Sequence, residues 1–145
     1  MDPKDRIRLP ADTVTGQGNC GVVALAVFLG LSYQETEWRV RKAFGKPMNW
    51  KGSMRFEEIK AMLRKYNRRR STAFRTRKNV RRKTEYPTLQ QWVRNESWPG
   101  TVYYVLTTGH AQIVCDGYVT DQCGTKHVTV HQFRRKRALW ACALK

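Results

Sequence analysis

Apolar positions along the first two thirds of the chain recur at helical spacing, and along the last third at alternating or continuous spacing. The run Cys20 to Leu31 (CGVVALAVFLGL) is apolar on every side, the pattern of a buried central helix with its N-terminus near Asn19 or Cys20. Ser32 and Glu35 then form a capping box, which starts a second helix to about Phe44, where Gly45 and Pro47 stop it. Phe56, Ile59, Met62, Leu63 and Tyr66 make the stripe of a third helix, for which Ser53 is the expected cap. Thr88 with Gln91 repeats the capping box and opens a fourth, short helix.

From Gly100 the pattern turns extended. Thr101 to Thr107 (TVYYVLT) is β-branched and aromatic, and His110 to Cys115, Asp116-Gly117 and Tyr118 to Asp121 read as a hairpin on an Asp-Gly turn. Lys126 to Phe133 alternates as a further strand, and Ala138 to Leu144 (ALWACAL) reads as a closing strand or short helix. Helices first and an antiparallel sheet second predict an α+β fold. At 145 residues, 1–145 is expected to be one domain. With 41% hydrophobic residues and sixteen aromatics, the chain has the means to build a core, which excludes a disordered protein.

Charge changes the picture. The net charge is +17, and residues 64–83 hold eleven Lys or Arg and no acid, while Arg134 to Arg137 adds four more cations. These two segments carry 15 of the 17 charges, so the rest is an ordinary, nearly neutral domain on which the block 64–83 is expected as an insert or loop. Arg64, Arg68, Arg69, Arg70, Arg75, Arg77, Arg81 and Arg82, with Tyr66 and Phe74 among them, form a candidate track for nucleic acid, a ribosome or an acidic protein. The N-terminus is charged and lacks the apolar core of a secretory signal, and no run reaches the roughly 18 residues needed to span a bilayer. A cytoplasmic monomer without membrane contact is expected, its four cysteines free thiols. The small size and the basic block are compatible with a phage or mobile-element protein acting in a host cytoplasm.

A cysteine in the first turn of a buried helix has a chemical use, because the helix N-terminus lowers its pKa and the thiolate is the nucleophile. Cys20 holds that position. Glycines 16, 18 and 21 let the backbone approach a substrate carbonyl, and the Gln17 amide with the Cys20 N–H could hold an oxyanion. The hairpin supplies the rest on paper. A two-residue Asp116-Gly117 loop pairs Cys115 with Tyr118, Val114 with Val119, Ile113 with Thr120 and Gln112 with Asp121. His110 then shares a face with Asp121 and is its diagonal neighbour. Asp116 lies on the order of 20 Å from His110, at about 3.3 Å per residue, and is a turn residue. Nucleophile, base and orienting acid are thus Cys20, His110 and Asp121.

Gln17-Gly-Asn-Cys20-Gly opening an apolar helix, followed by Gly109-His110-Ala111 and an acid on the next strand, resembles the papain-like cysteine peptidase superfamily, particularly its small bacterial and phage-type members. The resemblance covers residues 15–35 and 101–124. It implies a papain-like fold and a thiol hydrolase without cofactor acting on a peptide or isopeptide bond. In that reading Cys20 is the nucleophile, His110 the base and then acid, Asp121 the orienter, and Gln17 an oxyanion donor. Gln17 stands closer to the cysteine than in most such enzymes, and the aromatic that often follows the cysteine is absent.

Two other readings compete. Cys115, Cys123, His127 and His131 fall within seventeen residues, but the cysteine spacing is not that of a zinc finger, and the hairpin register puts Cys115 and Cys123 on opposite faces, so no metal site is expected. The basic block could instead make the chain a non-catalytic module that binds nucleic acid or another polyanion, a pseudoenzyme on the same fold.

Overall fold

The computed structural model describes residues 2–15, 18–66, 71–75 and 82–144, with 71–75 and Lys83 described in their backbone alone. The elements in order are α1 (Pro3–Arg6), α2 (Cys20–Leu29), α3 (Tyr33–Phe44), α4 (Phe56–Tyr66), β1 (Ser71–Arg75), α5 (Leu89–Glu96), β2 (Val102–Thr107), β3 (His110–Cys115), β4 (Tyr118–Asp121), β5 (Gly124–His127) and β6 (Ala138–Leu144). Single 3-10 turns lie at Lys83–Glu85 and Val128–Val130. The fold is α+β.

The helices form where the sequence signals placed them. α2 ends at Gly30 and α3 at Gly45, both left-handed, the conformation in which a residue after a helix closes its last carbonyls. Ser32 accepts the Glu35 N–H, and the Thr88–Gln91 capping box at α5 is reciprocal. The short α1 was not expected, and the start of α4 differs. Glu58 reaches back to accept the Arg55 N–H at 2.9 Å, and the Arg55 carbonyl accepts the Ile59 N–H, so Arg55 holds the cap position expected of Ser53. Ser53 offers its carbonyl to the Trp50 indole instead.

The strands form one antiparallel sheet in the order β1-β6-β2-β3-β4-β5. On one face Tyr104, Leu106, Ala111, Ile113 and Cys115 pack against Ala24, Leu25, Val27 and Phe28 of α2, with Ile59, Met62 and Leu63 of α4 behind them. On the other, Tyr103, Val105, Val114, Val119 and Ala141 meet Leu89, Trp92 and Val93 of α5. Because β2 and β3 are buried on both faces, every residue in them is buried, and their sequences run apolar where a half-exposed strand would alternate. Each large side chain buried this way contributes about 1.5–3 kcal/mol.

Two extended expectations are corrected. Residues 64–83 are not wholly an insert or loop: Arg64–Tyr66 close α4, and Ser71–Arg75 form the edge strand β1 along β6. The run Lys126 to Phe133 is not one strand: β5 stops at His127, and Val128–Val130 make a 3-10 turn that swings His131 inward. β6 is a strand and lies inside the sheet.

Candidate active site

The hairpin of β3 and β4 has the register its Asp-Gly turn implies: Cys115 opposite Tyr118, Val114 opposite Val119, Ile113 opposite Thr120. Asp116 (φ 47°) and Gly117 (φ 85°) both take the left-handed conformation that such a turn needs. Asp116 binds the Gly100 N–H at 2.7 Å and stays a turn residue. At the other end of the hairpin, His110 Nε2 lies 3.0 Å from Asp121 Oδ2. The diagonal relation worked out from the alternation of faces is therefore a hydrogen bond.

Asp121 holds more than His110. The same Oδ2 accepts from His131 Nε2 at 2.8 Å, and Oδ1 accepts the Cys123 N–H at 2.9 Å. His131 Nδ1 accepts the Phe133 N–H at 3.2 Å, which places the ring proton on Nε2 and makes His131 a donor toward the carboxylate. The Phe133 ring lies 4.5 Å from the His110 ring and 5.8 Å from that of His131, centroid to centroid. His110, Asp121 and His131 are 5%, 1% and 2% exposed, so no bulk water competes for these bonds. Sequence reasoning named His131 only as a metal ligand to be discarded and Phe133 only as a strand end. No local signal could have found them, because Val128-Thr129-Val130 is β-branched and reads as strand, and only the inward bonds of His131 show the turn.

Cys20, half buried, opens α2 and meets His110. Why the thiol sits at an open helix end follows from Asn19. That residue occupies the cap position, yet its side chain does not cap α2: the fully buried amide donates to the Val14 carbonyl at 2.7 Å and the Tyr33 hydroxyl at 2.8 Å. Asp12 binds the Tyr33 and Gln34 N–H groups at the start of α3, and Gly52 (φ 98°) presses so close that a Cβ there would fall 2.7 Å from that of Asn19. The first turn of α2 is thus fixed in place without a side-chain cap from Asn19, which leaves the Gly21 N–H to the Cys20 sulfur. Below it, the Tyr104 hydroxyl donates to the Gly21 carbonyl at 3.0 Å.

Electrostatics follow from these contacts. Burial pushes the Cys20 thiol up, but the hydrogen bond to His110, the attraction of its cation and backbone bonds from Ala111 and Gly21 outweigh it, and the net pKa is lowered. The Ala111 bond has a simple origin. The two-residue loop after Thr107 makes Thr107–His110 the hydrogen-bonded pair, so the Ala111 N–H points away from β2, and the ladder with β4 begins only at Ile113. Burial likewise disfavours a charged His110, yet Asp121 and Cys20 raise its pKa to about 9. Asp121 resists the upward push of burial through His110, His131 and Cys123, and its carboxyl lies far below the usual carboxylate range. Each of these contacts favours the charged form of its group, so thiolate, imidazolium and carboxylate stabilise one another in a row.

Cys20, His110 and Asp121 are therefore brought together as the sequence predicted. Gln17 lies outside the described residues, as do Arg68, Arg69, Arg70, Arg77 and Arg81. Arg75 is in β1, and Arg64 and Arg82 are exposed. Of the four discarded metal ligands, Cys115 is buried, Cys123 exposed, His127 bound to Thr129, and His131 bound to Asp121. Among the described residues no three metal-ligating side chains gather, and no helix is long and apolar enough to cross a membrane. No protein-family model, curated protein or solved structure matches the chain.

Proposed function

We propose that the protein is a thiol-dependent hydrolase of papain-like type, a cysteine peptidase that cleaves a peptide or isopeptide bond. The observation that carries this reading is the continuous line from the Cys20 thiol through the His110 ring to the Asp121 carboxylate, in which the thiol is lowered and the imidazole raised to about 9. Chain order supports it too: the nucleophile opens a buried helix, and the base and acid follow on neighbouring strands of a sheet packed on that helix.

In the proposed cycle the Cys20 thiolate attacks the carbonyl carbon, and the Cys20 backbone N–H, with Gln17 in the sequence reading, holds the developing oxyanion. The His110 imidazolium protonates the departing amine, leaving a thioester. Neutral His110 then takes a proton from water, whose oxygen displaces Cys20 and releases the acid. Asp121 keeps the imidazole ring turned so that Nε2 faces the carboxylate and Nδ1 the sulfur. The same intermediate serves acyl transfer or deamidation when another amine or a glutamine amide takes part. The four free cysteines fit a reducing, cytoplasmic setting.

Intact-mass labelling with iodoacetamide at pH 6 tests the reading. One adduct is expected to form fast in the wild type and to be lost in Cys20→Ala, and its rate should collapse in His110→Ala. Labelling of Cys20 no faster than that of exposed Cys123 would remove the chemical basis for an enzyme and leave the polyanion-binding module as the reading to pursue.

A further inference from the structure

A cavity of about 410 Å³ opens at the far end of the β3–β4 hairpin, beside its Asp116-Gly117 turn, the last turn of α5 and the residues that follow β5. It lies on the α5 side of the sheet, on the order of 17 Å along β3 from His110 at about 3.4 Å per residue, and shares no residue with the thiol site. Its volume falls in the range of about 300–1,000 Å³ typical of small-molecule pockets.

Val93, Val128, Pro99 and the Trp98 ring give it apolar walls. Trp98 is 74% exposed, a cost in water that packing within the fold does not offset. Asp116 spends one carboxylate oxygen on the Gly100 N–H, the Ser97 hydroxyl donates to the Val93 carbonyl at 2.6 Å, and the Gln90 amide lines the wall. Arg94 and His127 add donors. Arg94, exposed in the last turn of α5, makes no ion pair among the described residues. The His127 Nδ1 accepts the Thr129 N–H at 3.3 Å, so its proton resides on Nε2. That atom lies 3.2 Å from where a Gly117 Cβ would stand, so only a glycine turn leaves the ring room.

We infer that this cavity binds an aromatic carboxylate, its ring against Trp98 and the valines and its carboxylate on the Arg94 guanidinium and the His127 Nε2–H. Such a ligand would bind whether or not Cys20 is a nucleophile. An apolar slot with an unpaired planar cation at its rim favours an anion attached to a flat apolar body over either part alone. The net charge of +17 adds a general pull on anions, which the test must separate from the site.

Isothermal titration calorimetry with indole-3-propionate, its uncharged amide and acetate makes that separation. Indole-3-propionate is expected to bind once per chain, its amide about tenfold more weakly, and acetate without saturation, because a charge-assisted bond is worth about a factor of ten or more. Arg94→Gln should bring the acid down to the affinity of the amide and leave the amide unchanged, and Trp98→Ala should weaken both. Both side chains are exposed, so the variants should melt with the wild type, and the acid-to-amide comparison on the wild type stands by itself if one does not. Equal binding of acid and amide, wild-type affinity in both variants, loss of binding in Cys20→Ala, or no saturation by about 10 mM would each overturn the assignment.

Discussion

Asp121→Asn perturbs the centre of the candidate site with the least change of shape. The amide oxygen can face the two imidazoles, but its NH2 then meets the Cys123 N–H, and a buried donor is left without an acceptor. That costs about 1–3 kcal/mol, and loss of the charge partner of His110 adds to it. The rise of the His110 pKa from 6.5 to about 9 is worth roughly 3 kcal/mol, an upper bound because Cys20 shares in it. A total loss of about 2–4 kcal/mol at pH 6 is expected in urea unfolding. The dependence on pH has two signs. His110 is raised in the folded state, so its contribution is complete below about 6.5 and disappears as pH rises through about 9. Asp121 is lowered, so its contribution is complete above about 4 and disappears as the solution becomes more acid. The wild type should therefore exceed the variant most between about pH 4 and 6.5. Without its carboxylate the buried ring gives up its proton near neutrality, and the Cys20 thiol returns toward its ordinary value of about 8.5. Alkylation at pH 6 should then slow on the order of tenfold or more. A variant that alkylates within a factor of two of the wild type at pH 6, with an unchanged urea midpoint, would refute the coupling between Asp121, His110 and Cys20.

Three further outcomes follow from named contacts. His131→Phe should slow Cys20 alkylation at pH 6 several-fold, while His131→Gln, which can donate to Asp121 and accept from Phe133, should restore most of the rate; equal rates in both would assign His131 to packing alone. Gly52→Ala places a methyl group against Asn19 in a backbone conformation that L-residues rarely adopt and should cost about 1–3 kcal/mol by thermal unfolding; a melting temperature equal to that of the wild type would contradict the clamp on α2. Thr88→Ala removes one half of the α5 capping box and should cost about 1 kcal/mol in urea without changing alkylation of Cys20; a loss of reactivity would show that α5 supports the thiol site.

What the sequence disclosed was local, and so was what it concealed. The Ser32 cap, whose partner Glu35 turns to Arg39 and does not complete a box, and the Thr88 capping box both work over four residues, and the Asp116-Gly117 turn fixes a register by itself, so the helices and the His110–Asp121 relation could be worked out on paper. Position 53 misled because the Arg55 backbone and the Glu58 side chain close α4 between them, leaving no donor for a serine cap. Alternation across residues 126–133 looked like one strand, but Val128–Val130 turn where His131 gains two bonds inside the protein. β1 was hidden because its neighbour among the described residues, β6, lies about seventy residues further on, and a five-residue segment set in a run of cations gives no sign of a strand that long-range pairing creates.

The candidate site also joins contacts of very different reach along the chain. His110 and Asp121 stand eleven positions apart on one hairpin, a unit that closes on a microsecond timescale, whereas Cys20 and His110 are separated by ninety positions and meet only when α2 docks on the sheet. The base and its acid therefore need only one hairpin to meet, whereas the nucleophile needs the docked fold. A chain in which α2 is undocked holds an ordinary thiol with no imidazole beside it, and the lowered pKa of Cys20 belongs to the docked fold alone. Reactivity at Cys20 is in this sense a chemical readout of completed folding.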